Sequence, residues 1–202
     1  PETTAAETTA ATLPPQTLPP DPLRLMLNEM SLEERVGQLF LARCDDAYAL
    51  EHIEEYHLGG FVLFGRDFEG QTPDSLRQKL SSYQAASTLP LLIAVDEEGG
   101  SVTRISSNSN FRSSRFPSPR NLYSSGGMEA VLTCEKEKCL LLSSLGINVN
   151  LAPVCDITTN PNAFLYSRSL GQSPEITAAF VHDTVREMSS NRIGSCLKHF
   201  PG

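Results

Sequence analysis

Short apolar runs alternate with helical segments four or five times between residues 23 and 202, and this alternation limits the chain's choice of fold. The apolar runs fall at 61–64, 91–95, 147–152 and 193–197. Each is short and nearly continuous, as expected of strands buried on both faces. Between them lie segments with helical spacing. Ser31 and Glu34 form a capping box before Leu32, Val36, Leu39 and Phe40, although 38–42 reads equally as the start of a strand. Residues 48–56 form an acidic helix that Gly59 and Gly60 stop. Thr72 and Pro73 open a helix with Leu76, Leu80 and Tyr83 inward, and Leu89 and Pro90 end it. A helix over 128–145 carries Val131, Leu132, Leu142 and Leu145 inward and is capped by Gly146. Ser173 and Pro174 open the last, with Ile176, Phe180, Val181, Val185 and Met188 inward.

Repeated βα units imply a parallel sheet with right-handed crossovers. The long polar loops, 101–127 and 157–172, follow strands rather than helices. That is the plan of an α/β (β/α)8 barrel of the TIM type, with functional loops at the carboxyl face. A doubly wound open sheet is the alternative, but no Gly-x-Gly-x-x-Gly follows any strand. A full barrel takes typically about 250 residues. Residues 23–202 are therefore expected to hold the first five or so βα units of a longer enzyme.

The first 22 residues are of another material, rich in Thr, Ala and Pro. They read as a disordered or extended linker. Such linkers follow export signals or lipid anchors in surface proteins. The expected place is thus extracellular or cell-surface, with possible membrane anchoring through a removed N-terminal segment; a cytoplasmic place is the alternative. The net charge of −8 disfavours nucleic acid and anionic membrane surfaces as partners. The five cysteines, Cys44, Cys134, Cys139, Cys155 and Cys196, have neither disulfide-framework nor zinc spacing. They read mostly as buried free thiols.

The stretch 91–104, LLIAVDEEGGSVTR, concentrates the chemistry. A buried strand delivers Asp96, Glu97 and Glu98 at its end, two glycines follow, and Arg104 comes after the turn. Asp156, Arg168, Lys198 and His199 also follow strands. In a parallel barrel those ends meet at one mouth. Mixed charges there suit a neutral, hydroxyl-rich ligand: Asp accepts from hydroxyls, while Arg, Lys and His donate to oxygens. Glu51, His52 and His57 lack a further ligand for a metal and read as an exposed acidic face. His182 reads as outside the pocket, and Asn108 and Asn110 as solvated.

Five motifs, in order and at fitting spacing, carry a resemblance: LGGFVLF at 58–64, VDEEGGSVTR at 95–104, LGINVNLAPVCD at 145–156, RSLG at 168–171 and KHFPG at 198–202. With them the chain resembles the N-terminal part of a glycoside hydrolase family 3 enzyme, of the β-N-acetylhexosaminidase branch. The resemblance implies a retaining glycosidase on a (β/α)8 barrel, without metal or cofactor. It would remove terminal β-N-acetylglucosamine from peptidoglycan-derived or chitin-like oligosaccharides. Asp96 would accept from the sugar's hydroxyls, and Arg104, Arg168, Lys198 and His199 would hold the same sugar. Asp156 would orient neighbours, Glu98 would be structural, and Glu97 reads as solvated. Ser101 stands where the family often has Arg. The acid/base His and the nucleophilic Asp are expected beyond Gly202, so the fragment alone is expected to be inactive. A β-glucosidase of the same family is one alternative; a surface protein that binds sugar without cleaving it is another.

Overall fold

The computed structural model describes residues 21–200. The linker expected over 1–22 lies outside these except at its end, where the structure differs. Asp21 caps helix α1 (Pro22–Glu29), its side chain accepting from the Leu23 N–H at 3.0 Å, with Pro22 in the first turn. This segment and the unit from Leu32 onward are two separate compact bodies.

The second unit starts with α2 (Leu32–Gly37) and β1 (Leu41–Arg43), which settles the ambiguity at 38–42 in favour of a strand. It continues with α3 (Ala49–Tyr56), β2 (Gly60–Leu63), a 3-10 turn (Gly65–Phe68) and α4 (Pro73–Ala86). Then come β3 (Leu92–Val95), α5 (Pro119–Leu145), β4 (Val149–Asn150), α6 (Pro174–Ser190) and β5 (Gly194–Ser195). Among the described residues the five strands form one sheet in the order β1-β2-β3-β4-β5, and every pairing is parallel. A doubly wound sheet would reverse its strand order at a switch point; a barrel keeps sequence order. The uninterrupted order is that of the barrel.

Phe61, Leu63, Ile93 and Val95 share the main core with Ile53, Leu76, Leu80, Tyr83, Leu142, Leu145 and Met188 from the helices. The helical stripes predicted on α4 and on the second half of α5 face this core. A smaller cluster joins Leu170 of the loop 157–172 to Val131 of α5 and Phe180 of α6. Close strand approach is built in at Gly60, where a Cβ would lie 1.9 Å from the Leu92 carbonyl oxygen.

Asparagines extend the short β3–β4 pairing. Asn148 accepts from the Ile93 N–H at 2.7 Å and donates to the Leu91 carbonyl at 2.9 Å. Asn150 does the same for the Glu97 N–H and carbonyl, at 3.0 and 3.1 Å. A side-chain amide has the donor and acceptor of a peptide group, so residues of poor strand propensity serve here as extra ladder rungs.

Three local expectations are corrected. Helix α3 spans Ala49–Tyr56 as expected, but its stop is His57, in the left-handed region at φ 50°, rather than the glycine pair. Residues 119–125 are helical rather than loop: Ser118 caps them and Pro119 opens them, and only the non-helical Gly126 and Gly127 separate them from the segment 128–145. Asn108 and Asn110 are not simply solvated, for they donate to the Phe68 and Gln71 carbonyls at 2.9 Å each and tie the loop after β3 to the loop after β2. Cys44, Cys134 and Cys139 are buried free thiols, Cys155 is half-buried and Cys196 is exposed. Burial pushes the Cys44 and Cys139 thiols up to about 12, which removes their thiolate reactivity at neutral pH.

Candidate functional site

The loops leaving β3, β4 and β5 enclose a cleft of about 460 Å3 at the carboxyl face of the sheet. Its lining includes Asp96, Arg104, Arg168, Lys198 and His199, together with Glu98 and Phe164. All five side chains expected at the pocket are therefore brought to one place. They come from stretches as far apart as 96 and 199, and only the parallel sheet makes them neighbours.

A continuous chain of polar contacts links them. Lys198 Nζ donates to Asp96 Oδ1 and contacts Glu98 Oε1, each at 2.6 Å. Arg168 grips Glu98 with two parallel bonds, Nε to Oε2 at 2.9 Å and Nη2 to Oε1 at 2.7 Å. Arg168 Nη2 also lies 3.0 Å from His199 Nε2, and His199 Nδ1 lies 2.7 Å from Asp156 Oδ2. Asp156 is a carboxylate and can only accept, so His199 Nδ1 donates to it and His199 Nε2 accepts from Arg168. Asp156 also accepts from the His199 backbone N–H at 3.1 Å, the orienting part expected of it. Arg104 stands looser, 3.9 Å from Asp96, with its guanidinium 5.9 Å from the Phe64 ring centroid.

Glu98 is the hub. Its side chain is 2% exposed between two cations. Burial alone would raise its carboxyl, but the hydrogen bonds and charges of Arg168 and Lys198 outweigh that and hold it below the usual carboxylate range. The Arg168 guanidinium is held above its ordinary value, chiefly by its hydrogen bonds to Glu98.

Glu97 corrects the sequence reading, which placed it in solvent. It is fully buried. Its carboxylate accepts from the backbone N–H groups of Arg104 and Ile105, both at 2.8 Å, and from the Ser106 hydroxyl. It thereby folds the loop that carries Arg104. The turn before it needs Gly99, which sits at φ 101° and has no room for a Cβ: one would lie 2.3 Å from the Pro117 carbonyl oxygen. No local pattern marks Glu97, because its partners are backbone groups seven to nine residues ahead.

Beneath the loop, Lys138 of α5 is buried beside Glu135, at 2.7 Å, and donates to the Glu98 carbonyl at 3.3 Å. Burial works against its charge, yet Glu135 holds the ammonium above the usual lysine range. His182 lies outside the cleft, exposed on α6 beside Asp183. Among the described residues no group of three or more His, Cys, Asp and Glu side chains could hold a metal ion.

Three carboxylates, Asp96, Glu98 and Asp156, stand against three cations, Arg104, Arg168 and Lys198. The charges balance, which suits a neutral ligand carrying many hydroxyls better than a phosphate. The volume falls in the range of roughly 300–1,000 Å3 of small-molecule sites. A cleft lined by charged side chains at the carboxyl ends of parallel strands is where barrels of this class place their functional sites.

Residues 31–202 match the glycosyl hydrolase family 3 N terminal domain, and the chain belongs to that family. It is 34% identical over 163 residues to beta-hexosaminidase A of Pseudoalteromonas piscicida, covering 75% of this chain and 26% of that protein. It is 29% identical over 175 residues to beta-hexosaminidase LpqI of Mycobacterium tuberculosis, covering 86% of this chain and 44% of that protein. Among solved structures, it superimposes on a family 3 beta-N-acetylglucosaminidase from a Paenibacillus species with a TM-score of 0.74 at 32% identity. That match covers 86% of this chain and 34% of the other. A family 3 member from Mycobacterium smegmatis gives 0.75 at 27% identity, covering 87% and 52%. The chain thus spans a quarter to about half of the length of these proteins.

Proposed function

We propose that the protein to which this chain belongs is a retaining, exo-acting β-N-acetylhexosaminidase. It removes terminal β-N-acetylglucosamine from peptidoglycan-derived or chitin-like oligosaccharides. The observation that carries the reading is the charge-balanced cluster of Asp96, Arg168, Lys198 and His199 around buried Glu98. The names of the relatives, beta-hexosaminidase and beta-N-acetylglucosaminidase, support the choice of sugar. In this reading Asp96 accepts from the sugar's hydroxyls while Arg104, Arg168, Lys198 and His199 donate to its oxygens. In this reading, as the family resemblance implies, the nucleophilic Asp and the acid/base His are other residues than these five; retention needs two groups facing each other across the bond at about 5 Å.

The test is turnover by the full-length protein of nitrophenyl β-N-acetylglucosaminide and nitrophenyl β-glucoside. Faster turnover of the first is expected. Faster turnover of the glucoside would overturn the sugar assignment, and binding of the sugar without turnover would make this a sugar-binding protein. We also place the protein outside the cytoplasm, on the Thr/Ala/Pro-rich composition of the first 22 residues. Recovery of the native protein in the cytosolic fraction of its source cells would refute that.

A further inference from the structure

We infer that Phe164 is the platform for the leaving group of the substrate, stacking on the second sugar ring rather than on the terminal one; this rests on the exo-glycosidase reading above. Exposure orders the cleft by depth, by side chain for the charged groups and for the whole residue at Phe164. Glu98 at 2%, Lys198 and Arg168 at 13% and Asp96 at 19% form the floor, His199 at 40% stands higher, and Phe164 at 85% forms the rim. A terminal sugar held by the floor directs its glycosidic oxygen outward, so the next residue of the glycan meets the rim.

A single exposed apolar side chain is ordinary on a protein surface. This one is distinguished by its place. It lines the cleft, and the Arg168 guanidinium, which already links Glu98 to His199, lies 5.5 Å from its ring centroid. The loop around it is fixed. Ser169 is fully buried and accepts from Arg120 at 2.9 Å, Arg120 packs 4.0 Å from the Tyr166 ring centroid, and Leu170 is buried in the smaller core. The ring is thus presented from a held backbone. An aromatic face offers the second pyranose ring what the charged floor does not: an apolar surface for its C–H face, next to the Arg168 that holds the terminal sugar.

The test measures binding to the full-length protein by calorimetry, with N-acetylglucosamine and with its β-1,4 trimer made uncleavable by sulfur linkages. Wild type, Phe164→Ala and Phe164→Tyr are compared. Phe164→Ala is expected to weaken the trimer about tenfold and the monosaccharide less than about twofold, because the lost burial lies outside the terminal pocket. Phe164→Tyr keeps the face and is expected to retain trimer affinity. Unchanged trimer binding, or equal losses for both ligands, would overturn the inference. So would a lowered Tm for Phe164→Ala with both affinities reduced, which would show the ring packing against protein. If wild type prefers glucose and its β-1,4 trimer, the sugar assignment fails, and the same variant comparison on the glucose series judges Phe164 by itself. Binding of neither series would overturn both.

Discussion

Two adjacent glutamates show how environment separates identical side chains. Glu97 is satisfied by backbone N–H groups and one hydroxyl, and among the described residues it makes no ion pair. Replacing it by Ala strands buried donors, each costing about 1–3 kcal/mol. Glu97→Ala should therefore cost at least about 2 kcal/mol in chemical denaturation. It should also weaken sugar binding through the released Arg104 loop. Glu98 depends instead on two cations. Its folded carboxyl titrates below its unfolded value of about 4.3, so its stabilisation is present above that pH and lost as the pH falls through the folded value. Glu98→Gln should be less stable than wild type at pH 7, by roughly 3 kcal/mol for a broken buried pair. The gap should narrow below about pH 4.3, as followed by Tm against pH. A constant gap from pH 7 to pH 3 would contradict the assignment.

At the scale of elements, the loop 157–172 does the most with the least regular structure. It carries Phe164, Arg168 and the buried Leu170 within seven residues. Leu170 is 1% exposed and wedges the loop against α5 and α6. Leu170→Ala should cost about 2–4 kcal/mol in denaturant unfolding and loosen Arg168 with it. Unfolding free energy unchanged within about 0.5 kcal/mol would mean the loop is held by its polar contacts alone. Two helix starts are legible as a hydroxyl residue before proline, Thr72-Pro73 and Ser173-Pro174. The same signal at Ser118-Pro119 went unread, because the glycine pair 126–127 broke the helical periodicity that would have extended it. Strand ends were less legible, since Asn148 and Asn150 carry ladder bonds on their side chains.

For the whole molecule, the site exists only where three strand ends meet. Asp96 and Lys198 are 102 residues apart and touch at 2.6 Å. Asp96→Ala in the full-length protein should cost at least about 2 kcal/mol in kcat/KM, by leaving Lys198 and the sugar's hydroxyls short of an acceptor. An unchanged kcat/KM and KM would remove Asp96 from the pocket.

By itself the sequence determined the βα alternation, the placing of long loops after strands and the positions of charged residues at strand ends. These follow from local periodicity and from turn and capping chemistry, which act over a few residues. The tertiary structure alone decided that the strands keep sequence order, that Glu97 is buried and that Glu98 bridges Arg168 to Lys198. Each of those depends on which distant groups share a low-dielectric interior. A carboxylate in water and a carboxylate wrapped in backbone donors are written with the same letter.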